Sequence, residues 1–431
     1  MKILINVFYI NDFGGIVPCV ENLALGMKRL DHDVQVVMSM PRRGYIRRGE
    51  PPAKRVEDGP FYHGRDAHAE FERGVGTGYW HRISLGWWDM PKLSYAEVAA
   101  IKCDLMVHMV PVPNPIKETR GCLDWEWLYH DSGAERQLVY IHDANFPRAY
   151  PHLVYYADRL HGAVCVHEAA YNSTTELPCP RVLIPNPHNV KVNLRDGSKP
   201  MRRRGLTMFS VQNFKRWKHV DDLVRAIPHL SSDLEVRVAG GGIEQRYISS
   251  TEKIKPEYLD EDGVPIWRRA LDTNMTYLSF VTSAQRNEEL AKARLLIDPS
   301  WSPTIIRYGC HFNRVMVEAM DMGAVPVCTE AAMRGSTLFE PGVNCLTYDH
   351  ELSPAELAER LEDWTRDTRK LSRIQHDNRK LLDQFRPENI AHRVIEFSQE
   401  DPEDMADYEC GAPKKKLLEA ADRKMEKFYA D

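Results

Sequence analysis

Lys2-Ile-Leu-Ile-Asn-Val7 is a short apolar run rich in β-branched residues, and Asn11-Asp-Phe-Gly-Gly15 follows it. An amphipathic pattern then runs from Ile16 to Leu30, Asp31-His-Asp33 makes a turn, and Val34–Met38 is a second apolar run. Strand, glycine loop, helix and strand in that order open a parallel α/β sheet. Further buried-strand runs lie at Asp104–Val110, Gln137–Ile141, Gly162–Val166 and Val182–Ile184. A helix is expected between Pro147 and Leu160, with proline at its start.

From Asn186 to Arg204 the rhythm breaks. Pro187, Pro200 and polar and basic residues leave no apolar period, so 186–205 reads as a linker between domains. The pattern then restarts, with strands expected at Leu206–Val211, Leu234–Ala239, Met275–Val281, Leu295–Asp298 and Val325–Cys328. Helices fit near His219–Pro228, Asn287–Ala293 and Asn313–Met322, and the chain reads as helical from Ser353 to about Ser398. The expected organisation is an α/β domain over 1–185, the linker, and a second α/β domain over 206–400. A tail over 401–431 follows, with one more amphipathic helix at Leu417–Tyr429 that packs back toward the first domain.

A length of 431 residues fits two hydrophobic cores better than one. The chain is 43% hydrophobic and 28% charged, with a net charge of −5, an ordinary globular balance. Nine cysteines, at 19, 103, 122, 165, 179, 310, 328, 345 and 410, are scattered and form no Cys-x-x-Cys pair. That indicates neither a disulfide framework nor a zinc site and fits a reducing, cytoplasmic compartment. The first residues lack the regions of a signal peptide. No run approaches the ~18 apolar residues of a membrane span, so no integral membrane contact is expected.

The second half carries the more specific chemistry. Ser210-Val-Gln-Asn-Phe-Lys-Arg-Trp-Lys218 leaves a strand and enters a helix, and Leu234-Glu-Val-Arg-Val-Ala-Gly-Gly-Gly242 is a strand ending in a glycine turn. Tyr277-Leu-Ser-Phe-Val281 precedes Glu288-Glu-Leu-Ala-Lys-Ala-Arg-Leu-Leu-Ile-Asp-Pro-Ser300. Cys310-His-Phe-Asn-Arg-Val-Met-Val-Glu318-Ala-Met-Asp-Met-Gly-Ala-Val-Pro-Val327 completes the series. In this order and spacing it resembles the donor domain of family 4 retaining glycosyltransferases of the GT-B type, over most of 206–350. Gly14-Gly15, the strand ending at His142 and Ile184-Pro-Asn186 match the general pattern of the first half.

The resemblance implies two Rossmann-like domains facing across a cleft and a nucleotide-sugar co-substrate, UDP-linked, with no cofactor. It implies that Glu318 binds the donor ribose, a role that suits a carboxylate able to accept from two vicinal hydroxyls. It gives Lys218 the neutralisation of the leaving diphosphate, where a preorganised cation lowers the barrier. His142 would contact the donor sugar near the reacting centre, and Gly14 and Gly15 would let backbone approach the donor. Val281, Cys310, His311, Phe312 and Asn313 fall on the remaining donor-binding positions.

Three positions depart from that pattern. Cys310 stands where the first glutamate of a pair is usual, and His311-Phe312-Asn313 replaces Gly-Phe-Gly, although Asn313 is a residue type that caps helices. Asn213 replaces an arginine, which leaves Lys215 or Arg216 to supply the charge. Asp31-His-Asp33 and Asp260-Glu-Asp262 spell a metal–nucleotide pattern, but the first lies at the wrong edge of the sheet and the second in a polar insertion. No metal is expected.

The acceptor is read from 41–91, a connection longer than two strands need. Residues 41–55 hold six Lys/Arg, among them Arg42, Arg43, Arg47 and Arg48, against one acid. Aromatics follow, including Trp87 and Trp88. Basic residues interleaved with aromatics suit a polyanion with stackable groups. Two acceptor classes stay open: a hydroxymethylated base in DNA, of the sort glucosylated by bacteriophage enzymes, and a lipid-linked or small glycan. A non-catalytic sugar-nucleotide-binding protein is the third reading.

Overall fold

The computed structural model describes residues 1–8, 16–40, 92–109, 132–142, 144, 153, 157–191, 199–241 and 254–400. The chain forms two compact units, Met1–Asn189 with Arg386–Asp431, and Val190–Phe385.

Near-continuous apolar runs build the first unit's sheet. Its strands are β1 (Lys2–Phe8), β2 (Asp33–Met40), β3 (Lys92–Ser94), β4 (Cys103–Met109), β5 (Ala134–Ile141), β6 (Gly162–Cys165) and β7 (Arg181–Leu183). They lie in the order β3-β2-β1-β4-β5-β6-β7, and every pairing is parallel. Both faces are covered, as a parallel sheet requires. Ile3, Ile5 and Val7 of β1 enter one apolar cluster, and Leu4 enters the other. Helix α1 (Ile16–Arg29) packs on the first of these faces through Val20, Leu23 and Met27. A short helix, α2 (Glu168–Ser173), follows β6.

The second unit repeats the plan. Strands β8 (Thr207–Asn213), β9 (Glu235–Gly241), β10 (Met275–Tyr277), β11 (Leu295–Asp298), β12 (Val325–Thr329) and β13 (Leu346–Tyr348) form a parallel sheet in the order β10-β9-β8-β11-β12-β13. Leu295 and Ile297 face one cluster, and Leu296 faces the other. The helices that position the site are α3 (Val220–Ala226), α4 (Ser283–Lys292), α5 (Pro303–Tyr308) and α6 (Arg314–Met322). Both units are Rossmann-like α/β sheets of the expected class, with strand order reversing between β1 and β4 and between β8 and β11.

The boundaries differ from the sequence reading. Of the expected linker, Asn186–Asn189 belongs to the first unit and Val190 onward to the second. The expected helical stretch 353–398 divides into α7 (Pro354–Arg366), α8 (Thr368–Asp383) and α9 (Pro387–Gln399). The second domain was expected to run to 400, but α9 belongs to the first unit. It packs on α1 and contributes Ile390, Val394, Ile395 and Phe397 to that core. Met275–Val281 yields a strand only to Tyr277, because Ser279 takes a left-handed φ of 58°. Helix α4 starts before the expected Asn287 because Thr282 and Gln285 form a capping box. Of the helix expected over 147–160, Ala157–Arg159 is a 3-10 turn. The helix expected at 417–429 lies outside the described residues. No described helix is long and apolar enough to cross a membrane.

Candidate donor site

Ligands of open parallel sheets bind outside the carboxyl ends of the strands, where strand order reverses. In the second unit that point lies between β8 and β11. The chain leaves β8, buries Phe214 and makes a 3-10 turn over Arg216–Lys218. The turn folds Lys218 inward, where it is 6% exposed, and leaves Lys215 and Arg216 exposed. His219 takes a left-handed φ of 47° and opens α3.

The Lys218 ammonium lies 4.0 Å from the Trp217 ring centroid. Its Nζ donates to Asn313 Oδ1 at 2.5 Å. Burial, with a smaller push from Lys215, lowers its pKa to about 8, and Asp298 acts in the opposite direction. Asp298 ends β11 and is buried. Its carboxylate accepts from Asn313 Nδ2, from the Ser300 hydroxyl and from Ser300 N at 3.2 Å. Lys218, Asn313, Asp298 and Ser300 thus form one polar chain across the switch point.

Asn313 holds the N-cap position of α6, yet its side chain makes no capping bond. Its expected use as a cap is corrected: the amide is taken up by Lys218 and Asp298 instead. One turn further along α6, Glu318 is 4% exposed and is not a solvated helix carboxylate. Its Oε1 lies 3.0 Å from Arg314 Nη2, an i,i+4 pair, and 2.9 Å from Arg286 Nη2 on α4.

The other expected donor residues divide. His311 is half-buried, with its ring edge-on to Trp217 at 5.8 Å, and burial plus nearby Lys218 push its imidazole down to about 4. Cys310 is fully buried in the apolar cluster, so its side chain is packing where a ligand contact was expected. Phe312 packs against Phe339 and Phe385, with ring centroids 4.8 and 6.0 Å away. Val281 is partly buried against the same cluster. Four partners were missed: Arg286, Arg314, Asp298 and Ser300. Arg314 had a signal, its i−4 spacing from Glu318, and Asp298-Pro-Ser300 stands at a strand end.

In the first unit, His142 follows β5 at the carboxyl edge. Burial and the neighbouring His167 push its imidazole down to about 3, so it is neutral at physiological pH. His167 Nε2 donates to the His142 carbonyl at 3.1 Å, and His167 Nδ1 accepts from Ala170 N at 3.0 Å, capping α2. Gly14, Gly15, Arg42, Arg43, Arg47, Arg48, Trp87 and Trp88 lie outside the described residues.

The Asp260-Glu-Asp262 triplet is a turn closed by its own bonds: Asp260 Oδ1 accepts from Asp262 N and Val264 N. Arg269 bridges Asp260 and Asp262 at 2.9 and 2.6 Å. Among the described residues, His219, Asp221 and Asp222 bring potential metal-ligand atoms within 4.8 Å of one another. His219 Nδ1 lies 3.2 Å from Asp222 Oδ2, and its ring stacks on Trp301 at 4.2 Å.

Residues 205–367, most of the second unit, match the family described as glycosyl transferases group 1. No curated protein matches the chain in sequence. Among solved structures, the chain is similar to Anabaena Alr3699/HepE in complex with UDP, with a TM-score of 0.60 and 16% identity. That match covers 92% of this chain and 99% of the other. A glycosyltransferase from Rickettsia africae ESF-5 matches with a TM-score of 0.61 and 13% identity, covering 94% and 98%. An alpha-glucosyltransferase in complex with UDP and a 13-mer DNA containing a HMU base gives 0.62 and 12%, covering 93% and 100%. At these identities the likeness is one of fold: two parallel-sheet Rossmann-like units, as in glycosyltransferases of the GT-B type.

Proposed function

We propose that this chain is a retaining, metal-independent glycosyltransferase that moves a sugar from a UDP-sugar to the hydroxyl of a hydroxymethylated DNA base. The observation that carries the reading is the Lys218 ammonium, buried beside the N-terminus of α6 within the span that matches glycosyl transferases group 1.

In this reading Lys218 neutralises the leaving diphosphate, with Lys215 and Arg216 as outlying cations. Glu318 accepts from the ribose hydroxyls while Arg286 and Arg314 hold its carboxylate. His142, neutral, hydrogen-bonds the donor sugar. The bond from sugar C1 to the diphosphate breaks, and the acceptor oxygen bonds C1 on the same face. The departing phosphate oxygen takes the acceptor proton, so no protein carboxylate acts as nucleophile. The UDP bound in two of the similar structures supports the donor, and the HMU-containing DNA bound in one supports the acceptor. The basic and aromatic residues of 41–91 support it independently.

The test is incubation of purified protein with mixed UDP-sugars and either hydroxymethylated or plain oligonucleotides, with EDTA present. Mass spectrometry should show a hexose increment on the hydroxymethylated strand alone, and NMR of the product should show the donor's anomeric configuration. An inverted product, or loss of activity in EDTA, would sink the mechanism. Transfer to a free or lipid-linked glycan and never to DNA would replace the acceptor.

A further inference from the structure

The geometry points to Asn313 as a positioning residue that holds the Lys218 ammonium at the donor site while keeping it off the Asp298 carboxylate. This rests on the donor-site reading above. Asp298 ends β11 and Lys218 lies in the turn that follows the adjacent β8, and a direct ion pair between these opposite charges would leave the ammonium little charge for a diphosphate. Asn313 stands between them. Its orientation is dictated by its partners, since an ammonium only donates and a carboxylate only accepts. Oδ1 therefore faces Lys218 at 2.5 Å and Nδ2 faces Asp298. Ser300 completes the carboxylate's shell with its hydroxyl and its N–H, and Asn313 Nδ2 also reaches Ser300 Oγ at 3.3 Å.

Two further observations separate this from ordinary packing. Asn313 forgoes the capping bond that its residue type and N-cap position favour. The family that the sequence resembles carries glycine at this position, so the amide is this chain's own addition. Lys218 donates one of its three N–H groups to Asn313, so the side chain it bonds is a neutral amide and not a carboxylate.

The test compares wild type, Asn313→Asp and Asn313→Ala, each checked for folding by circular dichroism. The Lys218 ammonium is titrated in the unliganded protein by NMR of ε-labelled lysine, and UDP binding is followed by calorimetry from pH 5 to 9. The charged or titratable groups facing Lys218 are Lys215 from its own turn, Asp298 from β11 and His311 ahead of α6, the last neutral over most of this range. Protonated, the new carboxyl of Asn313→Asp reproduces the amide: its O–H faces Asp298 and its C=O faces Lys218. Ionised, it cancels the lysine charge.

The proton affinity of Lys218 should therefore rise at least tenfold in Asn313→Asp. Its UDP affinity should fall at least tenfold between pH 5 and 7, where the wild type does not weaken. In Asn313→Ala, Lys218 collapses onto Asp298, and its proton affinity should rise likewise. That variant serves if Asn313→Asp does not fold. Identical Lys218 titration in wild type and variants overturns the proposal. If Lys218 responds as stated but wild type binds no UDP, the spacing role stands and the donor reading falls.

Discussion

Lys218 is a base whose charged form is disfavoured by folding, and in the proposed donor role this links diphosphate binding to stability. Its pKa of about 8 lies below the ordinary lysine value, so below pH 8 the folded protein holds a buried charge at a cost. That cost is lifted as pH rises from about 8 toward the ordinary value, whereas the ability to pair with a diphosphate is lost as pH passes through about 8. UDP affinity should therefore fall about tenfold between pH 7 and pH 9, as the protonated fraction does. The decline should vanish in Lys218→Gln, and calorimetry at the two pH values reads both. Lys218→Ala should lower turnover by roughly two to three decades and affect donor affinity less, because diphosphate charge grows in the transition state. Unchanged turnover would move the role to Arg216 or Lys215. Glu318 calls for a gentler substitution. Its removal leaves Arg286 and Arg314 facing each other, and breaking a buried pair costs about 3–5 kcal/mol. Glu318→Ala should therefore lower the melting temperature as well as weaken UDP. Glu318→Gln keeps an acceptor for the arginines, and should weaken UDP with little thermal loss.

Helix α9 shows what pattern can and cannot reveal about an element. Ile390, Val394 and Phe397 recur at helical spacing, so the helix itself is legible. Its partner is not, because an apolar stripe says nothing about which core receives it. The choice is made by glycines. A Cβ on Gly26 of α1 would come within 2.0 Å of the Pro387 carbonyl oxygen, and one on Gly162 within 2.5 Å of the Phe397 ring. Gly26→Ala should thus cost about 1–3 kcal/mol by prising α9 from α1, read as a lower denaturant midpoint. An unchanged midpoint would show that α9 docks without that close approach. Similar limits explain the other misses. Strands β3 (Lys-Leu-Ser) and β13 (Leu-Thr-Tyr) are three residues long and lack the longer apolar run that marks the equally short β7 and β10. Lys218 and Glu318 stand out as candidates because their neighbours in sequence mark them. Arg286 does not, since it reaches Glu318 from a different helix. The diverted Asn313 amide was equally hidden, because its residue type and position both argue for a cap.

At the scale of the whole molecule, charge sets a problem for the proposed acceptor. The chain carries 62 acidic against 57 basic residues, so its net charge of −5 repels a polyanion at long range. A protein of this balance binds DNA only by concentrating cations locally, and the sequence does so at 41–55, with six Lys/Arg and one acid. Each phosphate neutralised releases a counterion, so affinity for an oligonucleotide should fall steeply with salt, by about 0.9 log unit per contact for each tenfold rise. Replacing Arg42, Arg43, Arg47 and Arg48 with alanine should flatten that slope by up to about four units. UDP affinity should not change, because Lys218, Asn313 and Glu318 belong to the other unit. Mobility-shift assays across a salt series, with hydroxymethylated and plain strands, measure the slope. Calorimetry with UDP supplies the control. A plain strand should share the salt dependence, since backbone contacts carry no sequence information, while only the hydroxymethylated strand is consumed. If neither strand shifts at low salt, the basic segment does not track a nucleic-acid backbone, and a glycan or lipid-linked hydroxyl takes the acceptor's place.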